Sequence, residues 1–87
     1  MKNIIRKRNF SSVKLKDIFV ILNEDTGNYH VINESSNKIL ELIENQISYT
    51  ELLQKFKSYY EISNGRAKQD LDVFLQKARK LKLVEIN

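Results

Sequence analysis

Cysteine is absent from the 87 residues, which excludes disulfides, thiolate zinc sites, iron–sulfur clusters and a cysteine nucleophile. His30 is the only histidine, so no histidine pair exists to ligate a metal. A lone histidine on a strand serves packing or the surface far more often than catalysis. Only two glycines occur, Gly27 and Gly65; they stand in unrelated turns and form no phosphate-binding loop. There is no proline, no repeat, no low-complexity segment and no linker. The basic start, Met1-Lys2-Asn3-Ile4-Ile5-Arg6-Lys7-Arg8, is followed by no long apolar run. It therefore reads as neither signal peptide nor membrane anchor, and a cytoplasmic location is expected. The eleven carboxylates are scattered over helix faces and turns, with Glu24-Asp25 in a turn where local backbone bonding accounts for them. No nucleophile–base pair emerges. The chain reads as a non-enzyme without cofactor or metal.

What is present describes an ordinary globular protein, 41% hydrophobic and 30% charged. Its length suits one domain, residues 1–87, with a single small core. Fifteen Lys and Arg against eleven Asp and Glu leave a net charge of +4. That balance mildly favours acidic partners, whether nucleic acid, peptide or protein face, and equally describes a lysine-rich solvated surface.

The chain is organised around Asn23-Glu24-Asp25-Thr26-Gly27-Asn28, a polar turn between two apolar runs. Gly27 takes the positive φ that a tight reversal needs. Residues 2–10 form a ragged lead-in or a short first strand. Val13 to Leu22 reads as strand: Val13-Lys14-Leu15-Lys16 alternates, while Ile18 to Leu22 is apolar throughout, as for a strand covered on both faces. Tyr29 to Asn33 is the returning strand. Asn33 to Ser36 offer N-cap side chains for a helix from about Ser36 to Glu44, with Ile39, Leu40, Leu42 and Ile43 on its apolar face. Asn45 suits a left-handed helix end. Ser48 and Glu51 match a capping box and start a second helix that ends near Glu61. The third helix runs from about Arg66 to Leu81, its core face being Ala67, Leu71, Phe74, Leu75, Ala78 and Leu81. Leu83 to Ile86 is a short terminal strand or an extended tail.

Two binding surfaces follow from this order. Helices two and three, with the extended segment after them, look like a winged helix-turn-helix. Arg66, Lys68, Lys77, Arg79, Lys80 and Lys82 would then meet DNA phosphates, although Asp70 and Asp72 would repel them. The alternative is the hairpin edge. Arg66, Asp70, Val73, Lys77 and Lys80 form a stripe offset from the core face, with apolar Val73 in its middle. If that stripe flanks the edge of Asn28 to Ile32, the two make a groove in which an extended peptide adds as a strand. Otherwise Val73 merely widens the core face.

The runs Asp17 to Asn23 and Thr26 to Asn33, Ser36 with Ile39 to Ile43, Ser48 to Leu53, Tyr60, and Asp70-Leu71 followed by Phe74-Leu75 resemble the PqqD-like family over roughly residues 13–86. The ordered set, rather than any one motif, carries the resemblance. It implies an α+β, winged helix-turn-helix-like fold, with a three-stranded antiparallel sheet packed on three α-helices. It also implies a recognition element for ribosomally made, post-translationally modified peptides, non-catalytic and free of cofactors. Such an element binds the precursor's leader as an added strand between the third strand and the third helix. By that resemblance the leader-binding residues are Asn28, Tyr29, His30, Val31 and Ile32 on the strand, and Asp70, Val73, Phe74 and Lys77 on the helix. The implied partners are the precursor peptide and a modifying enzyme or leader peptidase: a protease, a cyclase or a radical enzyme. The alternative is a small winged-helix DNA-binding regulator.

Starting at its own methionine with no appended catalytic domain, the chain looks like a stand-alone member, a type frequent in lasso-peptide systems. Asn45 and Lys82 stand where the family often has glycine, and Leu40 where it often has a bulky aromatic. A turn built differently is expected at Lys82.

Overall fold

The computed structural model describes residues 3–87, so Met1 and Lys2 of the basic lead-in lie outside the described residues. In chain order come β1 (Ile4–Lys7), β2 (Phe10–Leu15), β3 (Ile18–Asn23), β4 (Tyr29–Asn33), α1 (Glu34–Ile43), β5 (Gln46–Ser48), α2 (Tyr49–Tyr60), α3 (Asn64–Lys80) and β6 (Val84–Ile86). The implied α+β architecture is present: β2, β3 and β4 form an antiparallel sheet in that order, and three helices follow. A second antiparallel sheet, β5-β1-β6, gathers the lead-in, the α1–α2 connection and the tail. Its strands have three or four residues, too few to show a period in sequence.

The apolar run from Val13 to Leu22 is two strands, not one. The chain reverses at Lys16-Asp17, where Lys16 takes φ 55°. Neither Gly nor Asn marks that turn, so the sequence gives no warning of it. Gly27 has the expected positive φ, 78°.

Cross-strand register sorts the side chains of this sheet. Ser12, Ile21 and His30 lie on one face, as do Lys14, Phe19 and Ile32; Val13, Val20 and Val31 lie on the other. The first face meets the helices, and Ile21, Asn23 and Ile32 are buried there. The expectation that Ile18 to Leu22 would be covered on both faces is not met, since Ile18 is exposed and Val20 and Leu22 are half-buried. The helices pack on one side only, as an antiparallel sheet permits.

Each helix starts on a side-chain cap. Asn33 Oδ1 accepts the Ser36 N–H at 2.9 Å, Ser48 Oγ accepts that of Glu51 at 3.2 Å, and Ser63 Oγ accepts that of Arg66 at 3.2 Å. α1 ends on Glu44, whose φ is positive (57°) but whose ψ of −105° lies outside the left-handed helical region, and the left-handed end expected at Asn45 does not occur. Asn45 instead presents its carbonyl to Lys7 N–H at 2.9 Å, which ties the connection to β1. At the end of α3, Lys82 N–H donates to Arg79 C=O and Leu83 N–H to Ala78 C=O, with Lys82 at φ 61°. This is a Schellman closure. The turn is thus the one glycine would make, built with lysine, and the different turn expected at Lys82 does not occur.

One core unites both sheets and the helices, with Ile5 of β1, Ile21 and Ile32 of the larger sheet, Leu40 of α1, Leu52 of α2 and Leu71 and Phe74 of α3 in a single cluster. Asn23 and Asn37 are the polar residues buried with it, and Asn23 is wholly buried and fully bonded. Its Oδ1 accepts the N–H groups of Asp25 (2.9 Å) and Thr26 (3.2 Å). Its Nδ2 donates to the carbonyls of Leu81 (3.0 Å) and Lys82 (3.3 Å). A single side chain therefore shapes the β3–β4 turn and fastens it to the end of α3. Nearby, Arg8 bonds both Asp25 of that turn and Glu85 of β6. Hydrogen bonds from Asn9 and Arg8 hold the Asp25 carboxyl below its ordinary range, and the two carboxylates push the Arg8 guanidinium up.

Candidate functional site

The site begins with backbone. β4 pairs with β3 on one side and with no strand on the other among the described residues. Asn23 N–H donates to Asn28 C=O at 2.9 Å, which fixes the phase of the ladder. Bonded and non-bonded pairs alternate in an antiparallel ladder. His30 and Ile32 therefore direct their backbone groups to Ile21 and Phe19 of β3. Tyr29 and Val31 direct theirs to the open edge. An unpaired N–H and C=O at alternate residues is the template that an incoming strand requires.

Side chains on β4 take the opposite sorting. Ile32 is buried and His30 half-buried, on the face turned to the helices. Tyr29 (69% exposed) and Val31 (58%) stand on the outer face. Asn28, in the turn, is exposed.

On α3 the division expected from sequence is present. Ala67, Leu71, Phe74, Leu75 and Ala78 are buried, while Asp70, Val73 and Lys77 are exposed. Val73 is 65% exposed, so it does not widen the core face. Phe74 is 6% exposed and belongs to the core. The helix packs mainly on α2 and β6 rather than on β4. Asn23, at the end of β3, fastens the β3–β4 turn to the carbonyls of Leu81 and Lys82, just past the C-terminal end of α3.

Charge along α3 is uneven. Arg66 is paired with Asp70 at 3.3 Å. Asp72 accepts a hydrogen bond from the Tyr49 hydroxyl, and burial together with this carboxylate raises the Tyr49 pKa to about 12. Among the described residues no carboxylate ion-pairs with Lys77, Arg79, Lys80 or Lys82, which leaves the C-terminal third of the helix electropositive. Cations there also suit the helix dipole. For a DNA reader the pattern is poor, because the N-terminal half spends its one arginine on Asp70 and exposes a second carboxylate.

Asn23 is the residue that sequence reasoning missed. It reads as one more polar turn residue, and nothing local distinguishes a buried anchor from a solvated cap. No group of three His, Asp or Glu that could hold a metal occurs among the described residues. No described helix is long and apolar enough to cross a membrane.

Taken together, these features define a class: a small α+β domain with an open sheet edge and, on its third helix, an exposed stripe. Residues 19–84 match the family of coenzyme PQQ synthesis protein D (PqqD), and the chain belongs to that family. The resemblance read from the sequence is thereby borne out. Among solved structures the fold is similar to TbiB1, determined in complex with the TbiA(beta) leader peptide. The TM-score is 0.69 at 22% identity, over 92% of this chain and 93% of that one. No curated protein matches.

Proposed function

We propose that this chain is a non-catalytic adaptor that binds the leader of a ribosomally made precursor peptide. The leader adds as a strand to the open edge of β4, in the cleft between β4 and α3, and is presented there to a modifying enzyme or leader peptidase. The observation that carries this reading is the outward direction of the Tyr29 and Val31 backbone groups. Family membership and the similarity to a protein solved with a leader peptide support it. In this reading the backbone of Asn28 to Ile32 supplies affinity. His30 and Val73 touch inward-facing leader side chains, Ile32 and Phe74 form the floor beneath them, and Asp70 and Lys77 select charge at the rim.

The chemistry asked of the site is recognition alone. A strand bonded on one side and packed on the other is held extended. That is the conformation a second enzyme's cleft can grip without the entropic cost of ordering it.

Val73→Glu tests the groove. The variant should melt like the parent, because Val73 lies outside the core. A carboxylate desolvated by the docked peptide costs about 1–3 kcal/mol, roughly a fivefold to 150-fold rise in Kd. Titration with a fluorescently labelled leader peptide reads this directly. Unchanged affinity would place the leader elsewhere on the molecule.

A further inference from the structure

We infer that Asn23 is a positioning residue for leader recognition: from the end of β3 it sets how α3 stands against the β4 edge. Such a role rests on the proposed binding of a leader between those two elements.

The two walls of that cleft are built on different neighbours. β4 is bonded to β3 and packs on α1, whereas α3 packs on α2 and β6. Ile21 and Ile32 of the sheet share one core cluster with Leu71 and Phe74 of the helix. Apolar burial is non-directional, so it holds the two walls together without fixing their offset. Hydrogen bonds supply direction. Among the described residues only those of Asn23 join the β2-β3-β4 sheet to α3 or to the turn that ends it.

The Asn23 amide has two acceptor and two donor places, and all four are taken in a site closed to solvent. Its Oδ1 half shapes the turn, a task that an exposed Asn performs as well. The Nδ2 half does something else. It reaches Leu81 and Lys82, 58 and 59 residues further along the chain. Leu81 is the C-cap of α3, where carbonyls lack a partner within the helix, so the sheet supplies the cap. On its other side Asn23 N–H bonds Asn28 C=O, and Tyr29, the first residue of β4, follows directly. One buried side chain therefore ties the start of the open edge to the end of α3. An apolar residue there would fill the space but leave the offset free.

Asn23→Ser and Asn23→Thr test this, each alone and combined with Val73→Glu. A hydroxyl at position 23 still serves the turn N–H groups but is too short to reach Leu81 and Lys82 as well. Thr also suits a strand, which guards against loss of folding. Ile43→Val, a buried change in α1, is the control that loses stability alone. Labelled leader peptide is titrated against each full chain at a temperature where melting curves show it folded. The Asn23 variants should bind about tenfold more weakly than the parent, and Ile43→Val should bind like the parent. In the Asn23 backgrounds Val73→Glu should weaken binding by no more than about twofold further, because a displaced α3 no longer brings residue 73 to the peptide. A purely structural loss would leave the Val73→Glu effect at full size. Parent affinity in the folded Asn23 variants, or full additivity with Val73→Glu, would overturn the inference. Failure of both Asn23 variants to fold would overturn it too, since Asn23 would then serve stability alone. Absence of leader binding by the parent would instead bring down the adaptor reading itself, and the role of Asn23 with it.

Discussion

Phe74→Ala is expected to lower stability by about 3–5 kcal/mol, the cost of removing an enclosed aromatic and leaving its cavity. Phe74 is 6% exposed, in the middle of α3, and belongs to the cluster that includes Ile21 and Ile32 of the sheet. A domain of this size has little stability to spare, so a loss of that order leaves a large fraction unfolded at moderate temperature. Chemical denaturation of parent and variant, with the midpoint falling and the slope unchanged, is the expected result. The neighbouring Val73 should behave in the opposite way, with intact melting and impaired binding. If Phe74→Ala melted like the parent, the orientation assigned to α3 would be wrong by about one residue.

The second large effect is on binding. Val31→Pro should weaken leader binding by at least tenfold while folding is largely retained. Proline removes the Val31 N–H, which points to the open edge, and puts ring carbons where the incoming strand must lie. The leader carbonyl that would accept that N–H is left unpaired, which costs about 1–3 kcal/mol. His30→Pro supplies the contrast, because the His30 N–H is spent on the β3 ladder and its loss destabilises the sheet itself. Melting curves beside leader titrations separate the two outcomes. Equal binding by Val31→Pro would mean that the leader does not add at β4.

Much of this was legible in the sequence because local chemistry and tertiary need agree at those positions. The apolar period of α3 sorted Leu71, Phe74 and Leu75 from Asp70, Val73 and Lys77, and the structure divides them the same way. Gly27, Ser48 and Ser63 did what their types predict. Three things were hidden. The reversal at Lys16-Asp17 uses a lysine at positive φ, so an unbroken apolar run concealed two strands. The β5-β1-β6 sheet consists of pieces far apart in sequence that acquire a pattern only once paired. The two faces of β4 could not be told apart, because Tyr29, Val31 and Ile32 are all apolar enough for either; burial of Ile32 settles it. That last point changes the site. Tyr29 and Val31 offer backbone to the edge, but their side chains belong to the outer face, whereas His30 and Ile32 lie on the face that the helices cover.

The central claim is that a leader strand bonds to the Tyr29 and Val31 backbone groups, and residue-resolved amide hydrogen exchange with and without leader tests it most directly. In the free chain these two amides should exchange fast beside the slower, ladder-bonded amides of His30 and Ile32. Saturating leader should slow Tyr29 and Val31 by at least tenfold, with smaller changes along the exposed stripe of α3. Protection that left both edge amides as fast as in the free chain, while appearing at β2 or along β6, would contradict strand addition at β4.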